Sequence, residues 1–144
     1  MNPKLLIVDD DEEIRTQMKW ALAQDYEIIL AQDRASAMEQ FRAAHPAVVL
    51  LDLGLPPNPA SPEEGLATLS ELLAAENTTK VVIISGQGEK ENALRAIGSG
   101  AYDFLGKPVE VEELKLLLKR CYHVALLEKE YRQMQRLLQG QGFE

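Results

Sequence analysis

A single cysteine, Cys121, among 144 residues excludes an intramolecular disulfide framework. No stretch approaches the roughly 18 apolar residues that a membrane-spanning helix needs. Met1 leads into a strand-like run, without the basic flank, apolar region and cleavage site of a secretory leader, so no leader is expected. Positive charge is scarce as well: 15 Lys and Arg stand against 23 Asp and Glu, a formal net charge of -8. Attraction of Lys and Arg to phosphates dominates binding to nucleic acids and acidic membranes, so neither is expected as a direct partner. Cations or basic partners fit better, with the cytoplasm as the default compartment. His45 and His123 stand alone, and no His or Cys group has zinc-like spacing.

What is present is enough for one domain with an appendage, since 144 residues at 46% hydrophobic composition can bury a sizeable core. Runs rich in Val, Ile and Leu recur at Leu5 to Val8, Glu27 to Ala31, Val48 to Leu51 and Val81 to Ile84, with a weaker one at Tyr102 to Leu105. Most are continuous rather than alternating, as strands covered on both faces are. Between them the period becomes helical: Ile14, Met18, Ala21 and Leu22; Ala35, Met38 and Phe41; Leu66, Leu69, Leu72 and Leu73; Ala93, Ala96 and Ile97. Alternating strand and helix predict an α/β fold, a doubly wound parallel sheet with right-handed crossovers. Ligands of such sheets bind outside the carboxyl ends of the strands.

Those ends carry a consistent set. The first strand runs into Asp9 and Asp10, the third into Asp52, the fourth into Ser85 and Gly86, and the fifth into Lys107 and Pro108. Each residue alone has an ordinary reading, as a helix-start acid, a cap, a turn hydroxyl or a solvated lysine. Their joint placement predicts one shared site. Clustered carboxylates repel one another unless a cation is present, and a hard divalent ion, Mg²⁺ or alternatively Mn²⁺, suits them. Asp11, Glu12 and Glu13 belong instead to the start of the first helix, where the dipole favours acids.

The Asp9-Asp10 pair, Asp52 after "VVLL", Ser85-Gly86 after "VVII" and "DFLGKP" ending in Lys107-Pro108 together resemble the receiver domain of two-component response regulators. The likeness covers Lys4 to about Val124, and it implies a flavodoxin-like sheet of order 2-1-3-4-5. It further implies that Asp52 accepts a phosphoryl group from a sensor histidine kinase or a small donor such as acetyl phosphate. Asp10, Asp52 and the Gly54 backbone carbonyl would ligate Mg²⁺, with Asp9 acting largely through water. Lys107 would pair with the phosphoryl oxygens, Ser85 would hydrogen-bond one of them, and Gly86 would leave space beside the group. Ser85 moving inward would vacate volume for Phe104, three positions before the lysine; Tyr102 is out of register for that role. The implied domain is 1-124, a signalling unit that catalyses only its own phosphoryl transfer and dephosphorylation.

Two features depart from the family pattern. "DLGLPPNPASPEEG" carries about five more residues than usual before Gly65, and Pro56, Pro57, Pro59 and Pro62 stiffen it and deny it helix, so a flap, defined or disordered, is expected to change access to Asp52 or partner choice without altering the chemistry. Such an insertion resembles receivers of regulators associated with PEP-CTERM exopolysaccharide systems. The second departure is a helix with neither Gly nor Pro from Val109 up to Gly140. Leu114, Leu117, Cys121 and Val124 step by 3, 4 and 3, and Leu127, Tyr131, Met134 and Leu138 by 4, 3 and 4, with one break of phase between the sets. The near-heptad spacing predicts a dimerising helix, with 125-144 as linker, roughly 40 Å long in all; the alternative is a helix folded back on its own domain or a frayed linker.

That helix resembles the linker of sigma-54-dependent activators, so transcription regulation through an output domain beyond this chain is expected. No Walker sequence and no basic recognition helix occur in the sequence itself. The alternatives are a stand-alone phosphorelay receiver and a degenerate receiver serving as an interaction module. An aspartate-nucleophile phosphatase would carry a second acid where Gly54 stands. An FMN binder would want a Ser/Thr/Gly phosphate loop after the first strand, where acids stand instead.

Overall fold

A computed structural model describes residues 2–140. Its chain alternates strand and helix: β1 (Lys4–Val8), α1 (Glu12–Leu22), β2 (Glu27–Ala31), α2 (Arg34–Ala44), β3 (Val48–Asp52), α3 (Glu63–Ala75), β4 (Lys80–Ser85), α4 (Lys90–Gly98), β5 (Asp103–Gly106) and α5 (Val111–Gly140). The strands form one parallel sheet in the order β2-β1-β3-β4-β5, as expected. β5 begins at Asp103, one residue later than the apolar run at Tyr102.

Alternate residues of the central strands face opposite layers, which is why their runs read as continuously apolar. Leu6, Val8, Val49, Leu51, Val81 and Ile83 pack with Met38 and Phe41 of α2, Leu69 and Leu72 of α3 and Ala96 of α4. Leu5, Ile7, Val48, Leu50, Val82 and Ile84 pack with Met18 and Leu22 of α1 and Leu114, Leu117, Leu118 and Cys121 of α5. On α2 the buried small residue is Ala37, and Ala35 is exposed. Alanine's single methyl marks a helical face weakly, so the spacing at Ala35 misplaced that edge of the stripe.

Helix starts follow local chemistry. Asp11 caps α1 by accepting from the N–H groups of Glu13 and Ile14, at 2.9 and 3.4 Å, and Glu12 and Glu13 fill its first turn. Asp33 and Ser36 make a reciprocal capping box on α2.

The long helix requires a correction. Leu114, Leu117 and Cys121 are not part of a dimer seam: they are buried in the core between α5 and the sheet. A parallel sheet must be covered on both faces, and the first half of α5 supplies that cover beside α1. Burial pushes the Cys121 thiol up to about 11, so it behaves as an apolar side chain. Tyr122 is half-buried beyond the fully buried stretch; its ring stacks on Tyr26 at 5.2 Å and its hydroxyl donates to the Lys4 carbonyl. From the break of phase onward Val124 is half-buried, while Leu127, Tyr131, Met134 and Leu138 are all at least half exposed. Residues 141–144 of the expected extension lie outside the described residues.

Candidate functional site

Parallel register sets the site. Val8 lies opposite Leu51, Asp52 opposite Ile84, and Ser85 opposite Gly106, so the residues that end or follow these strands share one edge of the sheet. The Lys107 N–H donates to the Ser85 carbonyl at 2.7 Å and so continues the β4–β5 ladder into the site. Asp9, Asp10 and Asp52 each offer a carboxylate oxygen, all within 4.8 Å of one another. Lys107 Nζ donates to Asp52 Oδ2 at 2.9 Å.

Asp9 and Asp52 are buried, whereas Asp10 is exposed. Asp9 accepts from the Asp11 N–H at 2.9 Å, and the Arg15 guanidinium donates to the Asp9 carbonyl at 2.6 Å. Burial pushes the Asp9 carboxyl up to about 6; the Asp11 N–H and Lys107 pull it down, and Asp52 and Asp10 push it up. The Lys107 ammonium is lowered by its partial burial, but the hydrogen bond to Asp52 and the charges of Asp52, Asp9 and Glu89 outweigh this and leave it raised. One ammonium faces three carboxylates, so the pocket carries an excess of negative charge and suits a divalent cation. Oxygen donors alone, one of them exposed to solvent, match Mg²⁺ or Mn²⁺ chemistry better than zinc.

Gly54 is held tightly: its N–H donates to Asp52 Oδ1 at 2.9 Å, and a Cβ there would lie 2.7 Å from the Pro59 carbonyl oxygen. The proline-rich loop therefore folds back on the residue two positions beyond Asp52. Its far end is clamped as well, because a Cβ on Gly65 would fall 2.3 Å from the Leu53 Cα. Ser85 is buried at the end of β4. Phe104 is half-buried against the α2–α3–α4 layer, and Tyr102 packs against the opposite layer.

Two residues escaped the sequence reading. Pro59 stiffens the loop by its ring, and its carbonyl, which the sequence does not reveal, is what requires a glycine at 54. Glu89 was not singled out: its Oε2 accepts from the Gly86 N–H at 3.2 Å. The only sequence signal for it is an acid three residues after Gly86 and just before the helical period of Ala93 and Ala96.

Residues 5–119 match the family model described as "Response regulator receiver domain". The chain belongs to this family. It is 32% identical to "Regulatory protein AtoC" of Escherichia coli (strain K12) over 94% of its own length and 28% of that protein's. The crystal structure of NtrX from Brucella abortus superposes with a TM-score of 0.85 at 34% identity, covering 93% of this chain and 30% of that one. The structure of the NtrX receiver domain alone gives a TM-score of 0.75 at 36% identity, covering 82% of this chain and 97% of that one. The chain thus spans less than a third of AtoC and of the longer NtrX chain. Among the described residues no helix is long and apolar enough to cross a membrane.

Proposed function

We propose that this receiver domain is phosphorylated on Asp52 by a sensor histidine kinase in a Mg²⁺-dependent reaction, and that it passes the signal on through its C-terminal helix. The observation that carries the reading is Lys107 Nζ at 2.9 Å from Asp52 Oδ2, beside the Asp9 and Asp10 carboxylates. An oxygen of Asp52 attacks phosphorus; the bond from phosphorus to imidazole nitrogen, or to acetate oxygen for acetyl phosphate, breaks, and its electron pair leaves with that group. Asp10, Asp52 and the Gly54 carbonyl would hold Mg²⁺, with Asp9 acting largely through water, and the ion would supply charge neutralisation at the phosphoryl oxygens.

The chain's own residues do the rest. Lys107 gives up its bond to Asp52 and pairs with the phosphoryl oxygens, while burial keeps Asp52 oriented and largely screened from bulk water. The Ser85 hydroxyl donates to one of these oxygens, and its movement makes room for Phe104 to turn inward. Leu127, Tyr131, Met134 and Leu138 then form the contact between two copies, with Val124 at its edge. By this reading the domain is 1-124, 125-144 is the linker to an output domain, and the pathway regulates transcription, with sigma-54 activators as the model; a cytoplasmic protein follows.

Incubation of the chain with acetyl phosphate and Mg²⁺, followed by intact-mass measurement, tests this. One phosphoryl adduct is expected, absent in Asp52→Asn and absent with a chelator. No adduct on the natural sequence, or an undiminished one on Asp52→Asn, overturns the assignment.

A further inference from the structure

Glu89 lies outside α4, which begins at Lys90, and its side chain makes no hydrogen bond to that helix. It reaches backward instead. The Gly86 N–H donates to Glu89 Oε2 at 3.2 Å, while the Glu89 N–H donates to the Gly86 carbonyl at 3.2 Å. The segment 86–89 is thus closed once through the backbone and once through the side chain. Gly88 makes the reversal with φ 79, in the left-handed region that suits glycine. Gly86 leaves the acid room: a Cβ there would already lie 3.3 Å from Glu89 Oε1.

A helix-capping acid would sit within the first turn and return to its own N-cap. Glu89 instead satisfies a donor adjoining Ser85, and its charge also helps to raise the Lys107 ammonium. The carboxylate therefore holds the Gly86 N–H, a donor next to Ser85 at the edge where a phosphoryl group on Asp52 would sit.

We propose that Glu89 is an internal competitor for the phosphoryl oxygens, holding the Gly86 N–H in the unmodified protein and leaving it when an anion on Asp52 takes that donor. This rests on the reading of Asp52 as phosphoacceptor. A phosphoryl group brings about two negative charges and strong acceptors, and a second anion cannot share the same N–H without repulsion. Glu89 is exposed, so water receives its carboxylate on release. Because Glu89 is the residue from which α4 starts, occupancy of the site is read directly at the N-terminus of that helix. Glu89 is a positioning residue here, and its contact favours the unmodified state.

The test is titration of the full chain, with Mg²⁺ present, by beryllofluoride as the phosphoryl mimic. Glu89→Ala and Glu89→Gln should bind it about fivefold more tightly than the natural sequence. Glu89→Asp keeps the charge but is one methylene too short for the contact, and should bind more tightly as well. In amide spectra, Glu89→Ala should move the Gly86 resonance part of the way that beryllofluoride moves it in the unsubstituted chain. Affinity of Glu89→Ala within twofold of the natural sequence, or Glu89→Asp indistinguishable from it, overturns the role of Glu89 while leaving Asp52 intact. If the unsubstituted chain neither binds beryllofluoride nor takes a phosphoryl group from acetyl phosphate, the Asp52 reading fails and this inference falls with it.

Discussion

Lys80 Nζ meets both carboxylate oxygens of Glu128, at 2.8 and 3.0 Å, and ties the first residue of β4 to the helix turn that leaves the domain. The Lys80 side chain is only 12% exposed, against 42% for Glu128, so the pair is partly withdrawn from water. Lys80 also lies 5.8 Å from the centre of the Tyr102 ring, and Arg120 lies 5.9 Å from the same ring. Arg120 in turn holds Asp103 at 2.9 Å. Tyr102, just before β5, and Glu128, at the exit of α5, therefore meet on one lysine.

Breaking that pair should loosen the helix beyond Tyr122 without unfolding the domain. Glu128→Gln is expected to lower stability by about 1 kcal/mol, since one partner stays half-buried without its counter-charge. Hydrogen exchange should quicken over 124–132 and stay unchanged in the sheet. Unchanged exchange in that turn would mean that apolar packing, not the ion pair, fixes the exit.

Asp9 makes stability depend on pH. Its carboxyl, at about 6, lies above its ordinary value of 3.8, so over that window the folded protein holds more protons than the unfolded chain. Stability of the metal-free protein should therefore fall as pH rises through the window, and level off above it. A divalent cation needs the carboxylate, so stabilisation by Mg²⁺ should grow over the same rise. Melting temperatures measured with and without Mg²⁺ should diverge between about pH 5 and about pH 7. Asp9→Asn should abolish most of the divergence; equal divergence in that variant would place the cation elsewhere.

The glycines divide by what surrounds them. Gly65→Ala places a methyl within 2.6 Å of three Leu53 backbone atoms, which cannot move aside without shifting the end of β3. A loss of about 3 kcal/mol is expected. Gly98, the exposed last residue of α4, has open space where a Cβ would stand, with nothing within 4 Å, and Gly98→Ala should add about 0.5 kcal/mol through helix propensity. Chemical denaturation of both variants checks the pair, and a harmless Gly65→Ala would mean that the start of α3 is not clamped.

The sheet was legible because each strand is a short apolar run bounded by a helical period, and strand ends in a parallel sheet share one edge. Asp9, Asp10, Asp52, Ser85 and Lys107 could therefore be grouped from their positions alone. Glu89 and Pro59 were not, because each acts through a loop turn whose path carries no periodicity. Leu114, Leu117 and Cys121 misled for a different reason. A residue repeating every three or four positions looks the same whether a sheet or a second helix covers it, and only the need to cover both sheet faces separates the cases. The break of phase between Val124 and Leu127 marks where the sheet stops covering the apolar face of the helix.

That break makes the proposed dimer contact testable by substitution rather than by truncation. Removing everything after Tyr122 would also delete Glu128, and any change in association would mix seam with anchor. Leu127 and Met134 are 50% and 63% exposed and line no core, so Leu127→Glu with Met134→Glu should leave the melting temperature of the domain unchanged. If these residues meet a second copy, two buried charges per helix should weaken association by at least about tenfold, read by sedimentation or light scattering across concentration. The same substitutions at Leu126 and Leu137, also exposed but outside the near-heptad series, should do less. Equal loss at both pairs of positions would mean that the exposed helix associates without a defined seam. No loss at either would remove the extension from the dimer altogether.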